Sequence, residues 1–152
     1  MAQPTLFPES GFRRLRIDIA YDGTNFFGWG AQPDRRTIQD LVEEAISRIS
    51  RTDVESIVAG RTDAGVHATG QVIHVDVPDA MFATDLTYID FRYKLNRILD
   101  EDVRIMAISD APEGFHARFS ALRRYYTYKI IDNNDVTPPL SRYDVATWYR
   151  PL

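Results

Sequence analysis

Apolar and polar residues alternate from Arg14 to Tyr21: Leu15, Ile17, Ile19 and Tyr21 share one side, and Arg14, Arg16, Asp18 and Ala20 the other. A period of two is that of a strand with one face in a core. The rhythm changes at Ile38, after which Leu41, Val42, Ala45, Ile46 and Ile49 recur at three- and four-residue steps, the spacing of an amphipathic helix. Thr37 is placed to cap that helix, with Asp40 three residues on in an imperfect capping box. "ESIVAG" reads as a short apolar strand. Ile73, Val75 and Val77 then alternate with Val72, His74 and Asp76, a further strand that puts His74 on its polar face. Tyr88, Phe91, Leu95, Ile98 and Leu99 return to helical spacing, predicting a helix from about Thr84 to Leu99. "VRIMAI" and "YYTYKII" complete the set as strands. The order β-α-β-β-α-β predicts an α+β, ferredoxin-like (RRM-like) sandwich with both helices on one face of an antiparallel sheet, which the added last strand extends.

The 152 residues, 44% hydrophobic and 26% charged, suit one domain with its own core and exclude wholesale disorder. Residues 1–13 read as a flexible tail, and 14–152 as the domain. "YDVATWYRPL" begins what reads as another element, so we expect a chain cut short, with a C-terminal domain absent. There is no cysteine, which excludes disulfides, a thiol nucleophile and thiolate zinc sites and suits a reducing cytoplasm. No apolar run approaches membrane-spanning length and the start lacks a secretory pattern, so no membrane partner is expected. The net charge of −4 gives no global attraction to nucleic acid, which leaves that question to local charge.

Three connections carry unusual chemistry. "AGRTDAGVHATGQ", Ala59–Gln71, puts Arg61, Asp63 and His67 among three glycines between two strands. Glycine permits sharp bends and close approach of a ligand, and Arg61 suits an ionised carboxylate or a phosphate. Asp-Ala-Gly is equally good turn chemistry. "GFHARFSALRRYYTYKI" carries Arg118, Arg123, Arg124 and Lys129 without an acidic residue, interleaved with Phe115, Phe119, Tyr125, Tyr126 and Tyr128. Cations and flat rings are what unstacked nucleotides require; a sheet with buried tyrosines and solvated arginines gives the same pattern. In "YDGTNFFGWGAQ" the aromatics Tyr21, Phe26, Phe27 and Trp29 either line a cleft or plug the end of the sheet.

Together these stretches resemble the tRNA pseudouridine synthase A family. "GRTDAGVHATGQV" is similar to its catalytic motif, and "YDGTNFFGW..Q", "TIQDLVEEAI", "LNRILDEDVRI" and "FHARFSALRRYYTY" are similar to its other blocks, in order, from about Leu15 to Tyr149. The resemblance implies isomerisation of uridine to pseudouridine in the anticodon stem-loop of tRNA, without cofactor or metal, in a cytoplasmic homodimer when complete. It implies Asp63 as the catalytic carboxylate, acting either by covalent attack on the nucleotide or by removing a sugar proton. Both roles need a firmly held, ionised group, and the uridine must leave its stack to be reached. The substrate-binding residues implied are Arg61, which fills the space of the departed base or grips its phosphates; Tyr126, lying against the base; and Arg124 and Arg118, for phosphate or structural ion pairing. His67 and Gln71 supply supporting hydrogen bonds. Where the family usually has glutamine after the tryptophan, this chain has Gly30, with Gln32 in place. Family members are close to twice this length, so the fragment alone is expected to be inactive. The alternative is a non-catalytic RNA-binding module that keeps the basic and aromatic sheet.

Overall fold

The computed structural model describes residues 5–132 and 136–152. It divides into two compact units, Met1–Leu122 and Arg123–Leu152. In the first, β1 (Phe12–Tyr21), α1 (Ile38–Ser50), β2 (Ser56–Val58), β3 (Ala68–Pro78), α2 (Tyr88–Ile98) and β4 (Val103–Asp110) follow one another with short 3₁₀ turns between. The four strands form one sheet in the order β2-β3-β1-β4, each antiparallel to its neighbour. This is an α+β architecture of two helices on a four-stranded antiparallel sheet.

The alternation in β1 works as its spacing predicts: Leu15, Ile17, Ile19 and Tyr21 are buried, and they meet Ile73, Val75 and Val77 of β3 in a single core cluster. Ile38, Val42, Ala45 and Ile46 of α1 and Phe91 and Leu95 of α2 close the same cluster. Both helices therefore cover one face of the sheet. Thr37 caps α1 by accepting from the Asp40 backbone N–H. The second helix begins at Tyr88, four residues later than the apolar spacing from Thr84 suggests. Thr87 is the residue that forms a full capping box with Asp90, which stops the helix from extending backwards. Leu86, before that cap, and Phe91 both pack into the core.

Two irregularities break the sheet. Opposite β1, β4 carries one extra residue, since Asp18 pairs with Ala107 but Ile19 with Ile105. Toward the site, Ile19 pairs with Gln71 but Tyr21 with Ala68, so β3 carries one extra residue there. Such bulges re-aim side chains locally. Along the outer margin of β4, the Asn96 side chain donates to Ile105 O at 2.9 Å and accepts from Ile105 N at 2.8 Å, while Arg92 donates to Met106 O at 3.0 Å.

The second unit differs from expectation. "YYTYKII" is a strand only at β5 (Ile130–Ile131), which pairs in parallel with β6 (Ala146–Thr147) in a separate two-stranded sheet. Residues 123–129 are in neither helix nor strand. A strand exists only as long as its ladder does, and β6 offers two partners. Within this unit Lys129 pairs with Asp144 at 2.7 Å, and Trp148 stacks on Tyr149.

Truncation of Phe91 to Ala should destabilise the protein by about 3–5 kcal/mol through the buried cavity it leaves. Thr87→Ala should cost only about 1 kcal/mol, the usual worth of a helix cap. Urea unfolding followed by far-UV circular dichroism measures both.

Candidate active site

The connection from β2 to β3 is held against the connection from β1 to α1 backbone to backbone at two points. Trp29 N donates to Thr62 O at 2.9 Å, and Gly65 N donates to Phe26 O at 3.3 Å. The approach is so close that two residues of the facing loop can only be glycine. At Gly28, which has φ +87°, a Cβ would stand 2.8 Å from Thr62 O; at Gly23 it would fall 1.9 Å from Val66 O. Any side chain at either position would push the loops apart. The β1–α1 loop is in turn fixed to the domain. Ile38 N and Gln39 N bond Gly28 O and Trp29 O, and Asp22 N bonds Asp102 O. Arg36 lies over the Phe26 ring at 4.0 Å and pairs with Asp100 and Asp102, which raise its already high pKa, Asp102 most.

The aromatics of that loop divide. Tyr21, Phe26 and Trp29 are core, Trp29 only 1% exposed, so they plug the end of the sheet. Phe27 stays exposed beneath Arg35.

On this platform, Asp63 sits in a turn beyond β2 and is exposed. Its neighbours are pinned: Thr62 by Trp29 N through its carbonyl, Gly65 by Phe26 O, and Val66 N by the carbonyl of Asp63 itself at 3.1 Å. Among the described residues, no hydrogen bond or ion pair engages the Asp63 carboxylate, and none joins it to Arg61, which is also exposed. A Cβ at Gly30 would lie 3.9 Å from the Arg61 side chain, and Gln32 turns back to donate to Phe27 O at 2.7 Å.

His67 and Gln71 flank the turn as structural partners. The neutral His67 ring accepts from Gly23 N at Nδ1, 2.9 Å away; when protonated, the same nitrogen faces Asp22 at 3.1 Å. Asp22 is held below the ordinary carboxylate range, first by the Thr24 hydroxyl and backbone N–H, with His67 adding less. Gln71 is buried, and its amide donates to Gly60 O at 2.7 Å and to the Tyr21 hydroxyl at 3.2 Å. Sequence reasoning did not single out Thr62, whose hydroxyl meets that of Tyr21 at 2.7 Å. Nor did it find the seats of Gly23 and Gly28. The available signal was a second glycine-rich loop with more glycines than its turns use.

The outer face of the sheet holds a second polar cluster. His74 is not on a solvated face: it is buried, because the Phe115–Ser120 segment lies over it. His74 Nδ1 accepts from Ala117 N at 2.9 Å, His116 packs edge-on against it, and Phe119 stacks on His116. Buried Arg14 grips Asp76 through two hydrogen bonds and donates to Phe115 O. Burial first, then the Arg14 charge, lowers the His74 pKa to about 4; the same causes lower His116. This clamp fixes the segment that carries Arg118, which is exposed near the Phe119 ring.

Arg61, Asp63, His67 and Gln71 are thus brought together at one connection, and Arg118 sits on the clamped segment. Arg124 and Tyr126 belong to the second unit, where both are exposed, as are Tyr125 and Tyr128. The tyrosines are not core.

Fold and site define an α+β domain presenting a rigidly seated carboxylate loop. Residues 18–120 match the family model described as tRNA pseudouridine synthase. The chain is 50% identical over 143 residues to a tRNA pseudouridine synthase A of Frankia casuarinae, covering 93% of this chain and 50% of that protein. It is 44% identical over 146 residues to that of Corynebacterium glutamicum, covering 91% and 50%. With that of Bifidobacterium animalis it shares 52% identity over 129 residues, 78% of this chain and 43% of that protein. The chain belongs to the tRNA pseudouridine synthase family, and it spans about half the length of the curated relatives it matches.

Gly28→Ala should cost about 1–3 kcal/mol, combining a left-handed backbone with a forced separation of the loops, and thermal melts should show it. The second expectation concerns acid. The folded-state pKa of His74 lies below its unfolded value, so its contribution to stability is complete above about pH 6.5 and is lost as pH falls toward 4. The loss at pH 5 is on the order of 1–2 kcal/mol. Urea titrations at pH 7 and pH 5 should show a smaller difference for His74→Gln than for the parent.

Proposed function

We propose that this chain is the aspartate-bearing half of an enzyme that isomerises uridine to pseudouridine in the anticodon stem-loop of tRNA, with Asp63 as the reacting carboxylate. The observation that carries the reading is the contrast at Asp63: pinned backbone on both sides and an exposed side chain with no engagement among the described residues. A reacting carboxylate needs a fixed origin and a face open to substrate. The isomerisation breaks the C1′–N1 bond and forms C1′–C5; the base loses the C5 proton and gains one at N1, so no co-reactant enters. Asp63 acts as the nucleophile at the nucleotide or as the base toward a sugar proton, and either role uses an ionised group.

The target base must be extruded for this chemistry. Arg61, exposed two residues before Asp63 and fixed by the same turn, would occupy the vacated stack or hold a phosphate. Tyr126 would lie against the base; its exposed ring is available for that contact. Arg118 and Arg124 are read as phosphate partners. The strand order β2-β3-β1-β4, with both helices on one face, favours the ferredoxin-like reading of the fold. The exposed arginines and tyrosines of residues 123–128 would by themselves serve an RNA-binding module without chemistry, and the test separates the two.

Tritium release from 5-tritiated-uridine tRNA should occur with the longest product of this reading frame and fall to background in Asp63→Asn, with tRNA retention on filters unchanged. Release by Asp63→Asn at the parent rate would refute the assignment. Binding without release in any form would leave the binding module as the function.

A further inference from the structure

We propose that Tyr21, Gln71 and Thr62 form a positioning relay that sets the direction of Arg61 and Asp63, an inference that rests on the reading of Asp63 as the reacting group. The bonds alternate along the turn. Gly60 is tied through its carbonyl to the Gln71 amide at 2.7 Å, and Thr62 is tied through its hydroxyl to Tyr21 at 2.7 Å. Gln71 joins the two ties by donating to the Tyr21 hydroxyl at 3.2 Å. Residues 60 and 62 are therefore drawn inward, and residues 61 and 63 between and beyond them are left exposed. With Gly60 and Thr62 both tied, the backbone that carries Arg61 between them and Asp63 just after them has little freedom to rotate, so the two ties set where Arg61 and Asp63 project.

The core does not require this arrangement. The Tyr21 ring is buried beside Trp29, and phenylalanine would fill the same space. The hydroxyl is what meets Thr62. Gln71 is likewise the residue at which β3 leaves its register with β1, beside the extra residue of the bulge. It is the last β3 residue in regular register with β1, on the same side of the strand as Ile73 and Val75, so the strand itself holds its amide toward the turn. A buried amide and a buried phenol thus both end on the two residues that bracket Arg61. These are positioning residues, since neither touches the reacting atoms.

Two measurements test the relay. The first uses this chain alone and needs no activity: hydrogen exchange at Trp29, Gly65 and Val66, whose amides hold the loop. Tyr21→Phe should speed their exchange about fivefold, the net worth of one hydrogen bond, and leave the amides of β1 unchanged. Thr62→Val should do the same, Thr62→Ser should not, and Tyr21→Phe/Thr62→Val should add nothing to either single variant. Unchanged exchange in Tyr21→Phe, or strictly additive effects, would overturn the proposal.

The second measurement uses the longest product of the reading frame that releases tritium. Tyr21→Phe and Thr62→Val should lower kcat at least tenfold with KM for tRNA unchanged, and Thr62→Ser should restore it. A rise in KM at constant kcat would overturn the relay and point to direct substrate contact. Activity retained by Asp63→Asn would refute the underlying enzymatic reading instead, and the exchange result would then stand as a statement about the loop alone.

Discussion

Two loops of this domain touch main chain to main chain, and the site rests on that contact. Its cause is steric and lies at Gly23 and Gly28, where a single methyl group would strike the carbonyls of Val66 and Thr62. Contact at this range lets Trp29 and Phe26 bond directly to the turn that carries Asp63. Because Trp29 and Phe26 are themselves core residues, the turn inherits the rigidity of the packed interior. Arg36, bridging to Asp100 and Asp102, ties the far end of the same loop to the start of β4. A polar, exposed, glycine-rich connection is thereby held as firmly as a strand.

Much of this was legible in the residues. Alternation located β1 and β3 and helical spacing both helices of the first unit, because those elements bury one face and the burial writes its own period; β2 and β4 read as short apolar runs. The start of α2 was misplaced since apolar spacing does not mark a cap; Thr87 and Asp90 do. The strand at "YYTYKII" failed for a different reason. Propensity makes a strand possible, but a ladder partner makes it exist, and only Ile130 and Ile131 have one. His74 shows the reverse error. A polar position on a strand reads as solvated until another segment covers it, and the covering segment lies more than forty residues away at His116 and Ala117. Around Asp63, motif chemistry drew attention to the turn itself. It did not reveal Thr62 and the facing glycines, which act through distances that no linear pattern encodes.

The two faces of the sheet use different physics. Beneath the helices the packing is apolar and continuous. On the opposite face, buried Arg14, His74 and His116 and half-buried Asp76 form a polar patch whose members all have partners. Such a patch is costly unless fully satisfied, and here satisfaction depends on both imidazoles staying neutral so that their Nδ1 atoms accept. Two of the bonds that hold the segment bearing Arg118, those accepted by the His74 and His116 Nδ1 atoms, exist in only one protonation state.

At the margin of β4, the primary amide of Asn96 presents one donor and one acceptor to Ile105 in the way a neighbouring peptide unit would. It is a counterfeit strand one residue long. Edge strands ordinarily offer a template for pairing with another chain. This one has its central hydrogen-bonding slot already filled from within, and Arg92 blocks the next carbonyl along. A polypeptide that would lengthen the sheet by pairing at Ile105 must first evict a side chain of the same molecule, a local guard against self-association along this edge.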